Sequence, residues 1–128
     1  MREIKFRGWD GEGMIGGPIW TVAFNSSYDK RVVFHDYMIQ IEVPMENVMQ
    51  YTGLKDKNGT DIYEEDLVAD GYGRVYKVVF KGDCWRCEPS FNKKLKNRWL
   101  SDRLEVVGNR FEGIELSKQH LIKEDINQ

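Results

Sequence analysis

Between residues 91 and 103 the chain sets Lys93, Lys94, Lys96, Arg98 and Arg103 among the aromatic residues Phe91 and Trp99. Cations neutralise phosphates and aromatic faces stack bases, so this segment has the composition of a nucleic-acid contact. No nucleic-acid-binding motif surrounds it, and a solvated basic loop facing an acidic region would have the same composition.

A second group, Asp61, Glu64, Glu65, Asp66 and Asp70, holds carboxylates that could serve a divalent cation or acid/base chemistry. Their spacing fits no calcium loop. Asp61 and Asp66 are equally suited to accepting turn N–H groups. Cys84-Trp85-Arg86-Cys87 has C-x-x-C spacing, which serves redox exchange or metal binding only in the right setting. On a strand, residues 84 and 87 point to opposite faces, which favours incidental or packed thiols. His35 and His120 stand alone, with no nucleophile motif, so no catalytic residue is assigned and neither cofactor nor metal is expected.

The elements that position these groups read as short strands. Ile4, Phe6 and Gly8 alternate with Lys5 and Arg7, which puts one set of side chains on one strand face, closed by Trp9. Glycines and Pro18 make 10–18 a loop or hairpin connection. Residues 19–24 and 31–34 form a hairpin across the polar turn 25–30, and 37–43 turns Ile39, Ile41 and Val43 inward before Pro44. Residues 46–51 are ambiguous. Asn58-Gly59 predicts a type I′ hairpin tip. Further turns at 70–73 and 81–83 separate strands at 67–69, 74–80 and 84–88, with Pro89 ending the last. Residues 91–103 read as a long loop, 104–109 as a strand, and 115–122 as a short helix with Leu116, His120 and Leu121 at helical spacing. Trp9 and Trp20 are expected to pack.

The fold class is therefore mainly β, an antiparallel meander or small barrel, SH3-like in the C-terminal half, with an N-terminal β extension and a short C-terminal helix. The 128 residues suit a single domain, 1–128, or a subdivision into 1–48 and 49–128. Four Trp, six Tyr and six Phe exclude a disordered chain. A formal charge of −2 excludes a global attraction to phosphate or anionic membrane. No apolar run has the length of a membrane span and the start is no signal peptide, so the chain is expected in the cytoplasm.

Three blocks resemble the YopX family, found largely in phages and prophages. They are Met1-Arg2-Glu3-Ile4-Lys5-Phe6-Arg7-Gly8-Trp9-Asp10; Met49 to Gly59 with Ile62-Tyr63-Glu64-Glu65-Asp66-Leu67-Val68; and Val106-Val107-Gly108-Asn109-Arg110-Phe111-Glu112. The resemblance implies a mainly β protein of unknown function and carries over no catalytic residue. Glu65 stands where the family commonly has glycine, and Arg110 where an apolar residue is usual.

Three functions follow, in order of preference. The first is a non-enzymatic accessory module that binds itself as a homo-oligomer, or a phage or host protein, through strand edges and aromatic patches. The second is a nucleic-acid binder using Phe91, Lys93, Lys94, Lys96, Arg98, Trp99 and Arg103. The third is a metal-dependent enzyme using the 61–70 carboxylates. No membrane partner is expected.

Overall fold

A computed structural model describes residues 4–16, 21–24, 31–35 and 40–123. Trp20, Ile39, the 25–30 turn and the His35 side chain lie outside the described residues. Thirteen strands and two 3-10 turns make the described chain mainly β. It divides into two units, Met1–Tyr51 and Thr52–Gln128.

The first unit holds β1 (Phe6–Trp9), β2 (Met14–Gly16), β3 (Thr21–Phe24), β4 (Arg31–His35) and β5 (Gln40–Pro44). A 3-10 turn, Met45–Asn47, then leads into β6 (Val48–Lys55), which runs through the division. The 10–18 stretch is more than a connection, because β2 pairs antiparallel with β1. Asp10 makes that hairpin: its Oδ1 accepts the N–H groups of Glu12 and Gly13, both at 2.8 Å. Those two bonds hold its carboxyl below the usual carboxylate range. β1 also pairs with β6, while β3, β4 and β5 form an antiparallel meander. Val32, Phe34 and Val43 are fully buried, and Phe6, Ile15, Ile41 and Val48 pack on them. Gly8 lies in contact with this core, since a Cβ there would meet Phe34 at 2.9 Å. Ile4, expected on the inner face, is exposed because the strand begins only at Phe6.

The second unit continues with β7 (Asp61–Tyr63), β8 (Asp66–Ala69), β9 (Val75–Lys81), β10 (Cys84–Pro89), β11 (Arg98–Trp99), β12 (Glu105–Asn109) and β13 (Gly113–Ile114). Six of these form one sheet in the order β11-β10-β9-β8-β12-β13, all antiparallel, curling into a half-barrel. Alternation divides its apolar residues between two faces. Val68, Tyr76, Val78 and Cys87 share one face with Ile62 and Leu104. Leu67, Ala69 and Val75 share the other with Val107, beneath Phe91, Ile114, Leu121 and Ile122. Each such aliphatic side chain, fully buried, contributes about 1.5–3 kcal/mol.

Two turns trade roles relative to the sequence. At 56–60 the Gly59 N–H bonds the Asp56 carbonyl at 3.0 Å and the Asp56 N–H bonds the Thr60 carbonyl at 2.8 Å. Gly59 has φ 84 while Asn58 is not left-handed, so the tip is an ordinary turn closed by a left-handed glycine, not type I′. The Asp56 side chain explains this: Oδ1 accepts from Asn58 and Thr60, and Oδ2 from the Val106 N–H. That pattern fixes the loop against β12. The type I′ geometry occurs instead between β9 and β10, where Gly82 and Asp83 have φ 61 and φ 68.

The 91–103 loop also needs correction, since Arg98 and Trp99 pair with Cys87 and Arg86 as β11. The C-terminal helix is a 3-10 turn, Leu116–Leu121, with Leu116 87% exposed and His120 exposed. Leu121 and Ile122 pack on the core, and Lys118 anchors the turn by donating to the Val106 carbonyl at 2.8 Å.

Candidate binding surface on the β9–β11 side

Pairing register decides which side chains share a surface, because opposed residues in antiparallel strands point the same way. Val79 of β9 opposes Arg86 of β10, and Arg86 opposes Trp99 of β11. These three therefore form a row across the sheet face that carries Leu67 and Val75. Arg86 lies with its guanidinium 5.3 Å from the Trp99 ring centroid. Its Nε also donates to Cys84 Sγ at 3.3 Å. Trp99 remains 66% exposed.

Lysines flank the row on the same face. Lys77 opposes Glu88, and Lys81 bonds Glu88 at 2.7 Å. Lys81, with help from Lys77 and Lys93, holds the Glu88 carboxyl below its ordinary range. Lys77 also rims a cleft of about 330 Å3 lined by Leu67, Phe91 and Ile114.

The seven residues singled out in the sequence do not form one strip. Trp99 and Arg98 are consecutive on a strand and so face opposite ways. Arg98 lies 5.7 Å from the Tyr76 ring centroid and 3.8 Å from Asp70 Oδ2. Lys93 donates to the Pro89 carbonyl at 2.9 Å, and Phe91 packs on the core. Lys94, Lys96 and Arg103 are exposed, and Arg103 lines a different cleft, with Lys57 and Lys123. Arg86, Lys77 and Lys81 were missed by sequence reasoning. Their signal was two lysines four residues apart, on one side of an otherwise apolar strand, with Arg86 opposite Val79 between them.

The edge beside this face is partly closed. β11 pairs with only Arg86 and Cys87 of the six-residue β10. The two-residue turn makes Lys81 and Cys84 a hydrogen-bonded pair, so by alternation Trp85, Cys87 and Pro89 direct their backbone nitrogens away from β9. Cys87 faces β11, and proline has no N–H, which is why Pro89 is tolerated inside the strand. The Trp85 amide points to the same side, along which Leu100 follows Trp99. Phe80, opposite Trp85, makes an edge-to-face ring contact at 4.9 Å and is 50% exposed.

The remaining groups are committed to the fold. Asp61 pairs with Lys55 at 2.8 Å, Asp66 accepts the Tyr63 N–H, and Glu65 pairs with Arg110 at 2.9 Å. Glu65 and Arg110 are joined also by an Arg110 N–H bond to the Glu65 carbonyl. Glu65 has φ 67, a conformation that glycine adopts without strain. Asp70 is opposed by its burial. The Arg74 and Tyr72 N–H groups and the Arg74 guanidinium nevertheless hold its carboxyl below the usual range. Among the described residues, no group of three or more His, Cys, Asp or Glu is placed to hold a metal. Cys84 and Cys87 are free thiols on opposite faces, and burial pushes the Cys87 thiol up to about 12.

The family model for YopX protein matches residues 5–117. The chain belongs to the YopX family. Comparison with curated proteins yields no match. No described helix is long and apolar enough to cross a membrane.

Proposed function

We propose that the chain is a non-enzymatic accessory module of a phage or prophage that joins protein surfaces, and copies of itself first, through the β10–β11 edge. The observation that carries this reading is the placement of Phe80 and Trp99. Both are half or more exposed, and they stand on opposite faces of the sheet beside the same partly covered edge. A partner surface seated there would cover an aromatic side chain on either face. Tryptophan and arginine, the pair at Trp99 and Arg86, are the residue types that dominate interface energetics.

The acidic residues argue against the enzymatic reading, since Asp61, Glu65, Asp66 and Asp70 each serve a local ion pair or turn instead of converging. Light scattering over a range of concentrations tests the proposal. A mass above the monomer that falls in Phe80→Lys is expected, because a lysine beside an edge opposes pairing. A monomer mass at high concentration in the unmutated protein contradicts it.

A further inference from the structure

Beyond that reading, the geometry points to a second activity: we propose that the open face of β9–β11 binds single-stranded polynucleotide, with one base stacked on Trp99 and phosphates held by Arg86 and Lys77. The site is not the continuous 91–103 segment. It is a surface that the β9–β10 hairpin and β11 assemble from residues up to 22 positions apart, Lys77 to Trp99.

Charge complementarity selects the ligand. On the face that carries Val79 and Trp99, three cations, Lys77, Lys81 and Arg86, stand against one acid, Glu88, in a chain whose formal charge is −2. That face is a local basic field on a protein with no general attraction to polyanions. Glu88, the acid opposite Lys77, is already bonded to Lys81. An anion approaching Arg86 and Lys77 meets a face on which cations outnumber acids.

The aromatic component distinguishes a polynucleotide from a simple polyanion. Trp99 offers an exposed indole, and the Arg86 guanidinium sits 5.3 Å from its centroid. Arginine beside an aromatic ring both polarises the stack and reaches phosphate, a combination used by surfaces that hold unpaired bases. A duplex hides its base faces from such a platform, so single strands are preferred. Val79 completes the row with a half-buried apolar side chain against which a sugar or a neighbouring base packs.

The test is fluorescence anisotropy with labelled oligothymidylate and oligouridylate of about ten nucleotides, a length within single-strand site sizes, and with a DNA duplex of the same charge. Binding of at least one single strand at low salt, tighter than the duplex, is expected. The relative affinity for the two single strands then identifies the DNA or RNA preference. Trp99→Ala should weaken binding roughly tenfold or more while leaving the salt dependence unchanged. Arg86→Gln with Lys77→Gln should lower the slope of log affinity against log salt by about 1.4, the value for two phosphate contacts on a single strand. Lys94→Gln with Lys96→Gln, outside the site, should leave the slope and the single-strand preference nearly unchanged, and a slope lowered by this pair but not by Arg86→Gln with Lys77→Gln overturns the assignment. Circular dichroism and thermal melts establish that each variant is folded. No binding at low salt overturns the proposal. So does equal binding of duplex and single strand, or an unchanged affinity in folded Trp99→Ala. Because self-association would cover Trp99 and Arg86, anisotropy is read at protein concentrations at which light scattering gives the monomer, and self-association is tested separately, without nucleic acid, by Phe80→Lys.

Discussion

Individual side chains in this fold are set by what burial does to their chemistry. Cys84 and Cys87 share a motif spacing, yet alternation sends one toward the surface and the other into the core. With its thiol pushed up to about 12 by burial, Cys87 stays protonated and unreactive at neutral pH. A maleimide reagent should therefore add once to the native protein, at Cys84, and twice after denaturation, as read by mass spectrometry. Rapid double labelling of the native state would contradict the burial. Asp70 works in the opposite sense. Its carboxyl is held below the ordinary value, so its ionised form stabilises the fold above the unfolded value of about 3.9, and that contribution is lost as pH falls through the folded-state value. Asp70→Asn should lower the melting temperature at pH 7, and the gap from the parent should shrink in acid near pH 2.5. A gap that persists at low pH would show that shape, not charge, makes the Asp70 contribution.

Strands and turns show where local sequence decides structure and where pairing does. The alternation in β5, β9 and β10 was visible because one side of each strand is apolar. β2 and β11 were not visible. Residues 14–16 sit among glycines and 98–99 in a polar segment, and both become strands through bonds to β1 and β10 distant from any local preference. The same cause split the expected basic site, because a loop can gather its side chains but a strand must alternate them. Trp99 was singled out, whereas its partner Arg86 lies in a different run of sequence and meets it only through register. Turn chemistry was partly legible. Asn58-Gly59 does form a hairpin tip, but the Asp56 carboxylate selects its type by binding Asn58, Thr60 and Val106. Gly59 alone is left-handed there, and a Cβ on it would meet nothing within 4 Å. Gly59→Val should therefore destabilise the protein through backbone strain, by about 1–2 kcal/mol, read as a lower melting temperature. An unchanged melt would contradict the conformation assigned to the tip.

At the level of the whole molecule, the mainly β class and the YopX family are consistent with each other, and the proposed binding role rests on the uneven finish of one sheet. The β10 strand is closed by β11 at Arg86 and Cys87 and ends at Pro89, and Phe80 and Trp99 stay exposed on its two faces. Natural sheets usually cover or charge such an edge, and the large aromatic residues that border this one are the ground for the proposed contact. Amide hydrogen exchange at residue resolution, measured at several protein concentrations, tests this most directly. The account predicts that exchange at Trp99, whose amide points away from β10, slows as concentration rises while the β8 amides of the core stay constant. Exchange at Trp99 that is the same at every concentration would contradict it.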